Sequence, residues 1–208
     1  MKKIQFIIKP YLTCIMTFLF CMIITIIFPG QGYSQGAGYA LDFDGVDDYI
    51  LVPSASGDEL NPQLNITVEC WVNLNEIPSI DHQPYLVNKF NSYRLTIVSN
   101  GHAKFSIYDG ATWYSSEATT VIEKNMWYHI AATYDGSRIR IFVNGMMERS
   151  TNLGASPVMQ QNAQPVRIGS SDPSLSSYLT NGKIDNVRIW NTNRVPGQIQ
   201  GSINQKVP

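Results

Sequence analysis

Along most of the chain, apolar and polar residues alternate in short runs instead of recurring at helical spacing. In residues 66–72, Ile66, Val68, Cys70 and Val72 share one parity while Thr67, Glu69 and Trp71 share the other. Side chains on a strand point to opposite faces in turn, so a period of two predicts half-buried β-strands. Comparable runs occupy residues 39–43, 49–52, 93–98, 104–108, 127–134, 138–143, 166–168 and 184–190. Turn residues separate them at the spacing of an all-β sandwich or barrel. Asn-Gly or Asp-Gly pairs at 100–101, 109–110, 135–136 and 144–145 tolerate the positive φ of tight hairpins, so the flanking strands are expected to pair antiparallel with their sequence neighbours. Only residues 196–203 predict a helix, and a short one.

The N-terminus breaks this pattern. Lys2, Lys3 and Lys9 precede an apolar run over residues 11–28, interrupted only by Thr13, Thr17, Thr25, Cys14 and Cys21. A basic segment followed by such a run predicts a signal peptide. Pro29 and Gly30 end the run, and the small residues Gly32 and Ser34 predict cleavage after position 34, leaving a mature chain that begins at Gln35. Phe20 before Cys21 does not suit a lipobox. An uncleaved anchor is the alternative, since a run of roughly eighteen residues is long enough for a marginal span. Either way the expected location is outside the cell or at its surface, with membrane contact only through an uncleaved leader.

Composition then narrows the partners. Losing the leader's lysines and no acid takes the formal net charge from −1 to −4. A mildly acidic chain without a Lys/Arg block argues against nucleic acid. Two of the three cysteines leave with the leader, so Cys70 cannot form an intrachain disulfide, and its phase with Ile66 and Val68 marks it as a small buried hydrophobe.

Five blocks carry a resemblance. Leu41-Asp42-Phe43-Asp44-Gly45-Val46-Asp47-Asp48-Tyr49-Ile50, Ile66-Thr67-Val68-Glu69-Cys70-Trp71-Val72, residues 127–136 and 139–145, and Gly182-Lys183-Ile184-Asp185-Asn186-Val187-Arg188-Ile189-Trp190 occur in that order. Together they resemble the laminin-G-like jelly-roll domain of the concanavalin A-like lectin and glucanase superfamily, over residues 39–204. The resemblance implies an all-β, two-sheet antiparallel jelly-roll sandwich, one sheet concave and the other convex. That architecture carries lectins, adhesion modules, calcium binders and glycosidases alike, so function has to come from particular residues.

The glucanases on this fold place their carboxylates two apart on one strand, in Glu-x-Asp patterns. None of Glu59, Glu69, Glu76, Glu117, Glu123 and Glu148 is followed two residues later by Asp. His82, His102 and His129 show no metal-ligand spacing, and no Gly-x-Ser-x-Gly elbow occurs. His129 reads as a strand histidine. No catalytic residue is therefore expected.

Sugar binding needs aromatic rings for the CH-rich face of a pyranose and polar groups at its edge. Trp113 and Tyr114 sit in a polar stretch, residues 110–116, with few apolar neighbours to bury them. Tyr108 stands across the Asp109-Gly110 turn, and Tyr85, Phe90 and Tyr93 are near in sequence. Trp113, Tyr114 and Tyr108 are the expected ligand-binding residues, whereas Trp71, Trp127 and Trp190 are expected in core or inter-sheet packing. The leading expectation is an exported non-catalytic module that binds a glycan or surface glycoconjugate, or mediates adhesion. A protein–protein interaction module, or an accessory or fragmentary piece of a glycoside hydrolase, is the alternative.

Asp42, Asp44, Asp47 and Asp48 crowd around Gly45, and hard oxygen donors suit Ca²⁺. The resemblance implies a structural calcium held by the loop after the first strand and an aspartate of the last. Asp44, the Gly45 carbonyl and Asp185 are the expected ligands. The alternative is that these are ordinary turn carboxylates.

Overall fold

The computed structural model describes residues 40–55, 57–171 and 178–203. The leader expected over residues 1–34 and the domain ends at Tyr39 and Asn204 lie outside the described residues. One sheet contains, in spatial order, β1 (Leu41–Asp44), β12 (Asn181–Trp190), β3 (Ile66–Leu74), β8 (Tyr128–Tyr134), β9 (Arg138–Val143) and β10 (Met146–Asn152). The other contains β2 (Ile50–Val52), β11 (Val166–Ile168), β4 (Tyr85–Lys89), β5 (Tyr93–Ile97), β6 (His102–Tyr108) and β7 (Trp113–Val121). All neighbours are antiparallel. The single described helix, α1 (Pro196–Ser202), follows β12. Two antiparallel six-stranded sheets with almost no helix are consistent with the expected jelly-roll sandwich.

Alternation builds the core. Ile66, Val68, Cys70, Val72 and Leu74 of β3 share one cluster with Leu86, Leu95, Phe105 and Ile107 of the second sheet, all fully or almost fully buried. Each such side chain contributes roughly 1.5–3 kcal/mol relative to leaving it exposed. The β8–β9 and β5–β6 hairpins form as the turn residues predict. In the β9–β10 hairpin Asn144 and Gly145 have φ of 49° and 77°, the pair of positive values that a type I′ turn demands.

The second face of β3 is buried as well. Thr67, Glu69 and Trp71 are all fully buried, because the chain after β12 folds back across them. Pro196 at the start of α1 suits the first helical turn, and the Gln198 side chain accepts the Val195 N–H at 3.0 Å. Ile199 then packs on Ala131 and Phe142. Donors from the end of β12 and from this segment enclose the Glu69 carboxylate: Ser202 Oγ at 3.0 Å, Arg194 Nη1 at 3.2 Å, Trp190 Nε1 at 3.3 Å and Arg188 Nη1 at 3.5 Å. His129 Nε2 stands 3.4 Å away at ion-pair distance, without hydrogen-bond alignment. Burial pushes the Glu69 carboxyl pKa up, but His129, Ser202 and Arg188 outweigh it and hold the value below the ordinary one.

Of the three tryptophans expected in core or inter-sheet packing, Trp71 is fully buried, whereas Trp127 and Trp190 are not, and none belongs to the inter-sheet cluster. Trp71 is buried beneath the C-terminal segment, outside the inter-sheet cluster, and donates to the Ile203 carbonyl at 3.2 Å. Trp190 is 38% exposed and stacks against Arg194, whose guanidinium carbon lies 4.4 Å from the ring centre. Trp127 is half-buried.

Candidate ligand-binding groove

On the outward face of the second sheet, strand register sets a row of polar side chains. Arg167 of β11 pairs with Asn88 of β4, Asn88 with Arg94 of β5, Arg94 with Ser106 of β6, and Ser106 with Ser115 of β7. Two pairs further along, on the same face, Tyr108 faces Trp113, and their rings lie 5.0 Å apart at 31°. The Arg94 guanidinium carbon sits 4.1 Å from the Trp113 ring centre. Its Nη1 donates to the Tyr85 hydroxyl at 3.0 Å. Tyr85 in turn meets Tyr178 edge to face, with centroids 5.1 Å apart.

These side chains enclose a groove of about 240 Å³, in which Tyr85, Asn88, Phe90, Arg94, Trp113 and Tyr178 supply the main surfaces. Asn88 is held by its own donation to the Ser171 carbonyl at 2.9 Å. Phe90, in the turn between β4 and β5, is 48% exposed. Burial is the main influence on the Tyr85 hydroxyl and raises its pKa, against the opposing pull of Arg94. Rings beside an amide, a hydroxyl and a guanidinium can pack on an apolar ring face while hydrogen-bonding its polar edge.

Two of the three residues expected to bind ligand meet on this face, Trp113 and Tyr108. The Tyr108 hydroxyl donates to the Gly110 carbonyl at 2.9 Å, which fixes its ring beside the turn. Tyr114 does not join them. Consecutive strand residues face opposite ways, and Tyr114 pairs with the buried Ile107 and packs against the inter-sheet core. A hydrogen bond to Asp109 is the main cause of its raised pKa. Tyr93, another nearby ring, is fully buried and donates to the Leu60 carbonyl at 3.2 Å. Sequence reasoning missed Arg94, Asn88 and Tyr178. The alternation of Arg94 with Tyr93 and Leu95 already places Arg94 outward, but nothing local in sequence brings Tyr178 beside Tyr85.

The acidic loop lies on the other sheet. Asp44, Asp47 and Asp48 bring carboxylate oxygens within 4.8 Å of one another, all of them exposed. They also hold the loop: Asp44 Oδ1 accepts the Val46 N–H at 2.7 Å, and Asp48 Oδ2 accepts the Asp44 N–H at 3.1 Å. Asp185 is remote from this cluster. Asp44 pairs with Asn181, whereas Asp185 lies four positions further along β12 and pairs with Trp71, roughly 13 Å away at about 3.3 Å per residue. Its carboxylate accepts the Asn186 N–H at 2.6 Å. Asp44 and Asp185 therefore cannot ligate one ion together, and the hard oxygens that converge are those of Asp44, Asp47 and Asp48.

The remaining histidines are tied down locally. His82 Nε2 lies 3.0 Å from Glu76, and His102 Nδ1 lies 2.8 Å from the Ala118 carbonyl. Cys70 is fully buried, and burial pushes its thiol pKa far up.

The paired antiparallel sheets define the class, a concanavalin A-like sandwich. Residues 44–200 match the Laminin_G_3 family of the concanavalin A-like lectin/glucanases superfamily, and the chain belongs to this family. No curated protein sequence matches the chain. Among solved structures, a Bacteroides ovatus protein shares 20% identity with a TM-score of 0.61, over 77% of this chain and 45% of that one. The chain thus spans less than half of that protein. Domain 4 of AbnA, a GH43 extracellular arabinanase from Geobacillus stearothermophilus solved with arabinotriose, shares 18% identity and a TM-score of 0.64, over 83% of this chain and 79% of that one. The CBM40 of the Ruminococcus gnavus IT-sialidase, bound to α2,3-sialyllactose, shares 12% identity and a TM-score of 0.58, over 80% of this chain and 96% of that one. At these identities the likeness is one of fold.

Proposed function

We propose that this chain is an exported, non-catalytic module that binds carbohydrate in the groove between Tyr85, Arg94, Trp113 and Tyr178. The observation that carries this is the groove's composition: rings stand on either side of a fixed guanidinium and amide on the outer face of a sheet. Fold neighbours solved with arabinotriose and sialyllactose support it. Among the described residues lining the groove there is no carboxylate, whereas glycoside hydrolysis in most families uses two flanking the scissile bond. The basic and apolar N-terminal segment supports export. Among the described residues no helix is long and apolar enough to cross a membrane.

A pull-down on a panel of insoluble polysaccharides tests the proposal. The wild-type protein should be retained by at least one of them and Trp113→Ala should not. Retention that survives Trp113→Ala would place the ligand elsewhere. Binding to a protein partner with no glycan retention would instead favour an interaction module.

Calcium belongs to the same proposal at the β1–β2 loop. Asp44, Asp47 and Asp48 would hold the ion and stiffen the loop against β12. Metal bound only by the folded state stabilises it by about 2.7 kcal/mol at a hundredfold excess over Kd. Calcium should therefore raise the melting temperature of the chelated protein by several degrees. Asp44→Asn should erase that response and Asp185→Asn should leave it. Identical melting curves in calcium and chelator would remove the ion from the account.

A further inference from the structure

From the charges in and beside this groove we infer that it selects acidic sugars, binding the carboxylate of a uronic or sialic acid residue through Arg94, with Arg167, beside the lining residue Asn88 on the next strand, as a second cation. This rests on the groove being the carbohydrate site. Three other arginines have acidic partners: Arg140 pairs with Asp135 at 2.7 Å, and Arg188 and Arg194 share Glu69. Arg94 and Arg167 flank Asn88 in one cross-strand row, about 10 Å apart for a two-strand separation. Among the described residues no carboxylate lies within ion-pair distance of either.

Both arginines are half-buried, and the Arg167 Nε is buried without a hydrogen-bond partner. A desolvated cation with unused donors is costly unless an anion completes it. Lys104, also on this outward face, sits across from Glu117 on β7, so the excess positive charge is local to the Arg94–Arg167 row. Stacking on Trp113 and the bond to Tyr85 fix the plane of the Arg94 fork. A planar fork of donors matches a planar carboxylate better than it matches a lone hydroxyl. The rings on both sides take the sugar that carries that carboxylate. A net charge of −1 for the whole sequence, or −4 without the leader, does not oppose this, because charges beyond about 8 Å are largely screened at physiological salt.

The test is titration calorimetry on an array of acidic oligosaccharides with matched neutral partners, including oligogalacturonate against its carboxyl-reduced form and sialyllactose against lactose. An acidic member should bind at least about tenfold more tightly than its partner, the factor one charge-assisted hydrogen bond supplies, and the gap should narrow as salt rises. Arg94→Gln should bring the acidic member down to the neutral level, and Arg94→Lys should keep part of the difference. Should Arg94→Gln lower the melting temperature, Arg167→Gln tests the same row from its other end. Equal binding of acidic and neutral members, weakened alike by Trp113→Ala, would overturn the charge selection and leave the groove as a neutral glycan site. Binding of neither class by the wild-type protein would overturn both.

Discussion

Trp113 and Tyr114 are adjacent in sequence, yet they serve opposite faces of β7, and their substitutions should separate accordingly. Trp113→Ala removes a half-exposed platform, so glycan affinity should fall about tenfold or more while the melting temperature barely moves. Tyr114→Ala opens space against the inter-sheet core and should cost about 2 kcal/mol in denaturant unfolding. Trp113 was legible because a tryptophan in a polar stretch has little to bury it. Arg94 was not, since its meaning comes from a ring two strands away. Glu69 was equally opaque: in sequence it is one polar position of a strand, and only α1 turns it into a buried charge centre. Glu69→Gln should destabilise the fold by about 3 kcal/mol, the scale for removing one member of a buried ion cluster. The folded-state pKa of Glu69 lies below its unfolded one. Its contribution is therefore complete above the ordinary value of 4.5 and is lost as pH falls through the lower folded value. Urea midpoints measured from pH 7 downward should drop in the wild type more than in Glu69→Gln.

Among the elements, those with a face on the inter-sheet core along their whole length were readable, and those exposed or half-exposed over most of it were not. β3, β8 and β9 alternate cleanly because one face meets the core. β10 is exposed or half-exposed at every position and β7 over most of its length, as edge strands that pair on one side only, so neither shows a periodic apolar signal. β4 was hidden for another reason: a register shift between Tyr85 and Val87 buries Leu86 and Val87 side by side and breaks the alternation. The short helix was visible from Pro196, but its docking was not. Ile199→Ala should cost about 2–4 kcal/mol, because this side chain is fully buried on Ala131 and Phe142. If α1 packed loosely, the loss would be only a few tenths. Gly182 poses a stricter limit where β12 crosses the end of β3. A Cβ there would lie 2.4 Å from the Asn73 carbonyl oxygen and 2.8 Å from Leu74 Cα, both backbone atoms of the neighbouring strand, and φ is +149°. Gly182→Ala should cost at least about 2 kcal/mol by forcing the two strands apart.

For the molecule as a whole, the architecture was legible from hairpin turns and strand spacing, while the site required the third dimension. Its rings come from β4, β6, β7, the β4–β5 turn and Tyr178, which are scattered over nearly half the chain. The groove they form is shallow and rests on an open sheet, so a single oligosaccharide can desolvate only one or two rings. That limits binding to a Kd in the millimolar to high micromolar range, about 4–6 kcal/mol. Retention must then come from many weak contacts along one polymer or from many copies of the module. Linked sites gain roughly a hundredfold or more in avidity when a linker spans neighbouring ligands. A monomeric chain titrated with a short oligosaccharide should therefore give weak, fast-exchanging binding by nuclear magnetic resonance, with shifts centred on Trp113, Arg94 and Tyr85. The same chain displayed at several copies on a bead should be held firmly by the parent polysaccharide and released by Trp113→Ala. Nanomolar binding by the free monomer would show that ligand contacts extend well beyond this groove.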